Sequence, residues 1–279
     1  MELHRGDSLY PTALEDLPDP PPRLWARGNL AILDRPTVAI VGTRRATAYA
    51  ERVTRQLATT LARAGACVIS GLARGVDAAA HRGALEVDGA TVAVLGTGVD
   101  VCYPKGHASL QRDIAARGLV LSELPPTDTA HGGSFPRRNR IIAALSRATV
   151  VVEAGVKSGA LITAAHALDM DRTVAAVPGP IDVPQSQGSN ELLRDGAALV
   201  TSMADALALL GLTAPIRLHE IPEGTSERTV WQALEVGGLD LESLAARASL
   251  PAHETLAAVS ALELRGLVEC ALTGEIRRM

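Results

Sequence analysis

The chain has 279 residues, of which 47% are hydrophobic and 21% charged, and this composition excludes a disordered protein and allows one sizeable core with a small second domain. The net charge of −4 is unevenly distributed, because residues 37–160 hold 15 Lys and Arg against 9 Asp and Glu while the rest holds 12 against 22. This asymmetry predicts a basic working face in the first part of the chain.

Targeting and redox features are absent from the sequence pattern. No apolar run approaches the ~18 residues of a membrane span, and the N-terminal residues lack the apolar stretch of a signal peptide. The cysteines Cys67, Cys102 and Cys270 are scattered without metal-ligand spacing. We therefore expect a soluble, cytoplasmic protein with no membrane contact, no metal and no cofactor.

In chain order, residues 1–36 form a Pro-rich lead that we expect to lie as an extended strap against the main domain. From Thr37 to residue 211, short apolar runs alternate with segments of helical length, which predicts an α/β fold with an extended Rossmann-like parallel sheet and helices on both faces. The predicted strands are Val38–Val41, Cys67–Ser70, Thr91–Leu95, Leu119–Ser122, Val150–Glu153, Val174–Val177 and Leu199–Thr201. The predicted helices are Ala48–Ala64, Val76–Val87, His107–Arg117, Arg138–Leu145, Leu161–Met170 and Glu191–Arg194.

Basic residues and glycines follow the first two predicted strands of this domain. Arg44 and Arg45 would lie at the carboxyl end of the first strand, where open α/β sheets bind ligands, so they favour an anionic ligand. The alternative, that both are solvated turn residues, is about equally supported. After the second strand, Ser70, Gly71 and Arg74 form a glycine-rich turn that lets backbone amides approach a phosphate.

Two common nucleotide-binding patterns are missing. The dinucleotide pattern G-x-G-x-x-G does not follow the first strand, and no phosphate-loop pattern G-x-x-x-x-G-K-[ST] occurs, which disfavours an NAD enzyme and an ATPase. Asp77 and His81 lie four residues apart on one helix face, and a structural role for this pair is favoured over catalysis.

A second basic loop contains Phe135, the one phenylalanine of the chain, next to Arg137, Arg138 and Arg140. Bases that stack on an aromatic ring while cations reach the backbone are typical of single-strand binding without sequence readout. The alternative is that Phe135 fills the core. A third turn, with Lys157, Ser158 and Gly159, precedes another predicted helix.

The tail is a separate module, with a linker at 212–225 and three predicted helices and a hairpin at 226–279. This order is typical of a winged-helix-like domain. Residues 212–279 contain 6 basic and 10 acidic residues, so we interpret the module as protein-binding or structural.

Five motifs together resemble the DprA/Smf family, DNA-processing protein A: Val-Gly-Thr-Arg at 41–44, Ser-Gly-Leu-Ala-Arg-Gly-Val-Asp at 70–77, Phe-Pro-Arg-Arg-Asn-Arg at 135–140, Ser-Gly-Ala-Leu-Ile-Thr-Ala at 158–164 and Gly-Ser-Asn at 188–190. The resemblance implies a cytoplasmic, non-enzymatic homodimer that binds single-stranded DNA without sequence specificity and helps to load RecA in natural transformation. The chain departs from some members at Gly132, where they carry a lysine. The residues that we expect to contact DNA are Arg44, Arg45, Ser70, Gly71, Arg74, Phe135, Arg137, Arg138, Asn139, Arg140, Lys157, Ser158 and Gly159.

An alternative function is a nucleotide phosphoribohydrolase-like enzyme, because the Arg138-Asn139 pair also resembles a motif of those enzymes. They place a glutamate four residues after a glycine that would correspond to Gly159, and here that position is Thr163. Without this carboxylate, glycosidic cleavage lacks its main catalytic group, which disfavours the enzyme.

Overall fold

The computed structural model describes residues 1–213, 225–264, 267–271 and 274–278, and the chain divides into two compact units, Met1–Pro215 and Ile216–Met279. Of the predicted linker, residues 214–224 lie outside the described residues.

A nine-stranded sheet with the order β1-β2-β6-β5-β4-β3-β7-β8-β9 forms the centre of the first unit. Strands β3 to β9 pair in parallel, whereas β1 and β2 run antiparallel at one edge, β2 on β6 and β1 on β2. The strands are β1 Glu2–His4, β2 Arg23–Gly28, β3 Thr37–Val41, β4 Cys67–Ser70, β5 Thr91–Val94, β6 Leu119–Ser122, β7 Ala148–Val151, β8 Thr173–Ala176 and β9 Ala198–Leu199.

Helices cover both faces of this sheet, as the sequence predicts. Every residue of β3 is buried, with Val38 and Ile40 in one hydrophobic cluster and Ala39 and Val41 in another. A strand buried on both faces requires a continuous apolar run, which explains the pattern of the sequence. The helices of this unit are α1 Ala48–Arg63, α2 Val76–Leu85, α3 Ala108–Arg117, α4 Ser134–Ala144, α5 Gly159–Asp169, α6 Gln187–Arg194 and α7 Met203–Ala208.

The strand order reverses at β3, because the chain adds β4, β5 and β6 on one side and β7, β8 and β9 on the other. The carboxyl ends of β3 and β7 therefore diverge into turns that lead to α1 and α5. Such a reversal opens a crevice in doubly wound folds. The turns after β3, β4 and β7 all reach this edge.

Several boundaries differ from the sequence prediction, among them the starts of α5 at Gly159 and of α6 at Gln187, and two of the differences have a clear local reason. Helix α4 begins at Ser134 instead of Arg138, since Gly133 adopts φ 88° before it and Pro136 is tolerated in a first turn, where its missing N–H has no helical acceptor. Strand β7 ends at Val151 instead of Glu153, because its partner Val41 is the last residue of β3. Phe135 therefore lies in the first turn of a helix and not in a loop.

The Pro-rich lead also differs from the prediction, because it supplies strands. β2 pairs with β6 from Trp25↔Ser122 to Gly28↔Leu119, and Leu24 is fully buried in the cluster that covers one face of the sheet. The lead is therefore the edge of the sheet and not a strap laid over it.

Among its described residues, the second unit has three α-helices and an antiparallel hairpin, α8 Thr225–Ala233, α9 Leu241–Ala248, α10 Ala252–Leu264, β10 Val268–Cys270 and β11 Ile276–Arg278. Its core includes Val230, Leu244, Val259 and Leu262. These bounds agree with the helix and strand order of the sequence analysis, and the winged-helix assignment stays a prediction.

Candidate nucleic-acid interface

An open cleft of about 850 Å³ lies at the carboxyl edge of the sheet, where the strand order reverses. It is lined by the turn after β3, the first turns of α4 and the turn between β7 and α5. Of the thirteen predicted contact residues, the cleft brings together eight: Arg44, Arg45, Phe135, Arg138, Asn139, Lys157, Ser158 and Gly159.

An aromatic and cationic cluster forms one wall. The guanidinium carbon of Arg44 lies 5.3 Å from the centre of the half-buried Phe135 ring, within cation–π range. On another side, the ring of Tyr103 lies 5.1 Å from that of Phe135, centre to centre, at 39° between planes. Gly96 packs so closely that a Cβ there would stand 2.6 Å from Cδ1 of Phe135. Phe135 is thus partly packed and partly presented to the cleft.

Tyr103 is a residue that the sequence analysis missed. It is 50% exposed and lies next to the cleft lining through its contact with Phe135. The signal that could have found it is its place shortly after β5, whose carboxyl end reaches the same edge of the sheet.

Three cations of the cleft are free of carboxylates. Arg44, Arg45 and Lys157 are exposed, and none of them forms an ion pair with any residue that the structure describes. Asn139 holds this edge together, since its side-chain amide donates to the carbonyl of Gly159 at 3.0 Å and so links α4 to α5. Unpaired cations around a concave surface favour an anionic ligand.

Arg138 lines the cleft, but its guanidinium is engaged by backbone carbonyls, and its predicted contact with DNA stays a prediction. It is 4% exposed, and its Nη1 donates to the carbonyl of Gly71 at 2.7 Å and to that of Val94. Burial lowers the pKa of Arg138 to about 10, against the opposing attraction of Asp77, and nearby Arg44 lowers it slightly further. Arg138 therefore ties the ends of β4 and β5 beneath the cleft.

The other predicted contacts are held elsewhere. Arg140 is buried in an ion pair with Glu123 at 2.5 Å, and exposed Arg137 lies near Glu123 at 3.4 Å and Asp19 at 3.5 Å. Ser70 is buried, and its hydroxyl donates to the carbonyl of Ile40 at 2.7 Å.

Gly71 and Arg74 also lie outside the cleft lining. A Cβ at Gly71 would collide with the guanidinium of Arg138, so this glycine serves the packing of Arg138. Arg74 is exposed but does not line the cleft. Five predicted contacts, Ser70, Gly71, Arg74, Arg137 and Arg140, are therefore outside the cleft.

Two buried carboxylates fix the turns at this edge, and Glu153 is one that the sequence analysis took for a strand residue. Glu153 is 2% exposed and accepts from the amide of Thr47 at 3.0 Å and from its hydroxyl at 2.8 Å, at the start of α1. Asp77 accepts from the amides of Gly71 at 3.1 Å and Ala73 at 3.3 Å. Burial raises the pKa of Asp77, while Arg138 and these amides oppose the shift.

His81 takes no part in the cleft. It is fully buried, its Nδ1 lies 2.8 Å from the hydroxyl of Thr91, and burial lowers its pKa to about 3. The predicted structural role of the Asp77 and His81 pair fits these contacts.

The lining of the cleft offers little to the alternative function, a phosphoribohydrolase-like enzyme that needs a catalytic carboxylate. Thr163 lines the cleft, and Asp77, engaged by two amides, is the one carboxylate among the described residues of its lining. Within the described ranges, no group of three His, Cys, Asp or Glu residues could hold a metal ion, and no helix is long and apolar enough to cross a bilayer.

Gly132, the departure from the family pattern, precedes α4 in the exposed loop. A Cβ at this position would meet nothing within 4 Å, so there is room for a longer side chain. A lysine would therefore fit at this position, and the loop lacks that cation only because the residue is glycine.

Comparison with known proteins identifies the family. The family model for DNA recombination-mediator protein A matches residues 2–211. The putative DNA processing protein DprA of Mycobacterium tuberculosis is 43% identical over 258 residues, which cover 88% of this chain and 66% of that protein, so the chain spans about two thirds of that relative. Protein Smf of Escherichia coli is 38% identical, covering 96% of this chain and 75% of that protein.

Solved structures agree with the sequence match. DprA from Streptococcus pneumoniae superposes with a TM-score of 0.72 at 42% identity, covering 75% of this chain and 73% of that one. DNA processing protein A from Helicobacter pylori, whose structure was described for its single-stranded DNA binding mode, has a TM-score of 0.69 at 34% identity, covering 75% of this chain and 94% of that one. The cleft thus lies in the unit that the family model covers, and the chain belongs to the DNA recombination-mediator protein A family, the DprA/Smf proteins.

Proposed function

We propose that the chain binds single-stranded DNA without sequence specificity in the cleft at the carboxyl edge of the sheet. The observation that carries this proposal is the contact of Arg44 with the Phe135 ring in the cleft, beside unpaired cations, with Tyr103 packed against the same ring next to the lining. Aromatic rings stack on any base, and arginine and lysine hold the phosphates. The described fold and the DNA-processing relatives support the same function.

Single strands suit this site better than duplexes. Phe135 is half-buried within a concave surface, so a base must leave its stack to reach the ring. The bases of a duplex are already stacked and paired, and their extrusion costs a few kcal/mol. A single strand has no base pairs to break, so this free-energy cost is absent. We therefore expect it to bind more tightly than a duplex of equal length.

We also propose that the protein acts as a cytoplasmic homodimer that promotes RecA loading in transformation and recombination. Family membership supports this part of the proposal. The second unit, in this account, is a winged-helix-like module that contacts protein, because its acidic composition is unsuited to phosphates. If RecA filaments assemble faster on single-stranded DNA when the protein is present, the loading role is supported. An unchanged rate of filament assembly would contradict it.

The test of DNA binding is a fluorescence titration of oligo-dT and of a duplex of equal length at two salt concentrations. We expect tighter binding of the single strand and an affinity that falls with salt because counterions are released. Equal affinity for both forms would contradict the proposal. Release of ribose phosphate from AMP in a parallel assay would favour the phosphoribohydrolase-like enzyme instead.

A further inference from the structure

The helices that begin along the cleft edge differ in what satisfies their N-termini. The N-cap residue of α1, Thr47, donates its amide and hydroxyl to the buried carboxylate of Glu153. Asp77, in the first turn of α2, accepts from the amides of Gly71 and Ala73 in the turn that precedes this helix. A helix N-terminus carries unpaired amides and a partial positive charge that attract anions. In the turns that lead into α1 and α2, the chain itself supplies the anion that the backbone amides bind.

At α5, no carboxylate among the described residues plays this part. The hydroxyl of Ser158 accepts from the amide of Ala160 at 3.3 Å, whereas the amide of Gly159 has no acceptor in the described structure. A Cβ at Gly159 would meet nothing within 4 Å, so open space lies in front of this residue. The helix has eleven residues, enough for a developed dipole.

A buried hydroxyl lies one turn further into the same helix. Thr163 is 1% exposed and lines the cleft, and its hydroxyl makes no hydrogen bond within the described part of the chain. Side chains on a helix tilt toward its N-terminus, so a residue four positions after Gly159 leans toward that glycine. Buried polar groups are normally paired, so the hydroxyl of Thr163 is available to a water molecule or a ligand in the cleft.

The charges around this helix terminus also favour an anion. Lys157 precedes α5, and Arg45 follows β3, and both are exposed, line the cleft and lack an ion-pair partner among the described residues. Together, an open amide, a hydroxyl donor and two cations match the acceptor oxygens and negative charge of a phosphate.

We propose that the N-terminus of α5 is a phosphate subsite in which Thr163 is a direct ligand, together with the amide of Gly159 and the side chain of Lys157. The inference rests on the proposed function, because the phosphate is that of a bound strand whose base occupies the wall at Phe135. The phosphate is either an internal diester or a terminal 5′ monoester, and both offer the same oxygens.

The first test uses inorganic phosphate alone and does not depend on DNA binding. Sodium phosphate is titrated against sodium chloride at matched ionic strength while amide resonances are followed in ¹⁵N-labelled protein. We expect the Gly159 and Lys157 amides to shift in the wild type and to shift much less in Thr163→Val. Thr54→Val is the matched control, because Thr54 is also a fully buried helical threonine with an unpaired hydroxyl, but lies outside the cleft lining.

The second test measures oligo-dT affinity in the same variants. Thr163→Val should weaken binding at least about tenfold, since a hydrogen bond to a charged group is lost, and should leave the salt dependence unchanged. Lys157→Met should reduce the slope of log affinity against log salt by about 0.7. Thr54→Val should bind as the wild type does. Strands with a 5′-phosphate or a 5′-hydroxyl, and strands with one neutral methylphosphonate linkage, identify which phosphate depends on Thr163.

The outcomes separate the subsite from the proposed function. If Thr163→Val and Lys157→Met bind oligo-dT like the wild type while Phe135→Ala binds weakly, the subsite is wrong and single-strand binding stands. If the wild type binds no strand but inorganic phosphate shifts Gly159 in a Thr163-dependent way, the proposed function is wrong and the anion site stands. Absence of any phosphate-induced shift at Gly159 and Lys157 overturns the subsite.

Discussion

At the scale of one residue, Phe135 uses part of its ring surface for packing and leaves the other part for contact with a ligand. Gly96 and Tyr103 take part of its surface, and the rest faces the cleft under Arg44. We predict that Phe135→Ala weakens oligo-dT binding by about 1–3 kcal/mol, the value of one stacked base. Its loss of folding stability should stay below the ~3–5 kcal/mol of a fully buried phenylalanine. Phe135→Tyr should retain most of both.

Melting temperature and oligo-dT affinity, measured on these variants, decide between the two roles of the ring. A strongly destabilised Phe135→Ala that binds normally once folded would make Phe135 a core residue. The arginines and Lys157 would then have to carry the site alone.

The sequence could predict Arg44 and Phe135 because a strand end and a lone aromatic are visible without coordinates. The sequence could not show which arginines of the second basic loop line the cleft, because the direction of each side chain depends on where α4 begins. With the start at Ser134, Arg138 and Asn139 follow Phe135 by three and four residues and share its face. Arg137 and Arg140 then fall outside the cleft, where Glu123 pairs with both.

At the scale of elements, the Pro-rich lead has a larger structural role than its composition indicates. Leu24 on β2 is fully buried, whereas Leu9 in the same lead is 55% exposed. We predict that Leu24→Ala lowers the free energy of unfolding by about 2–5 kcal/mol, because it leaves a cavity beside the sheet. Leu9→Ala is the matched control and should change stability little.

Urea unfolding of both variants, followed by circular dichroism, measures this difference. Equal stability of Leu24→Ala and Leu9→Ala would mean that the lead is not an integral part of the fold.

The difference between predicted and observed elements has a physical basis. Strands β3 to β8 lie inside a parallel sheet and are short apolar runs, which the sequence displays directly. β2 is an antiparallel strand near the edge, alternating buried Leu24 and Ala26 with Arg23 and Arg27. Its pattern is weaker, and the prolines before it mask it further.

At the scale of the molecule, the two units differ in their balance of basic and acidic residues. The family match ends at residue 211, and the remainder from 212 carries 6 basic against 10 acidic residues. We predict that a chain truncated after residue 213 keeps nearly the full affinity for oligo-dT, since it retains every residue of the cleft. Its fold and oligomeric state should be checked by circular dichroism and light scattering. A large loss of affinity in a folded truncated chain with an unchanged oligomeric state would show that the second unit binds DNA.

The central claim, that the cleft binds the strand, is tested most directly by comparing Arg44→Ala with Arg137→Ala. Each variant removes one exposed guanidinium, but Arg44 lines the cleft and lies over Phe135, while Arg137 lies outside the lining near Asp19 and Glu123. The measurement is oligo-dT affinity at two salt concentrations. We predict that Arg44→Ala weakens binding about tenfold or more and reduces the salt slope by about 0.7, whereas Arg137→Ala stays close to the wild type. Equal effects of the two variants, or wild-type affinity in Arg44→Ala, would contradict the account.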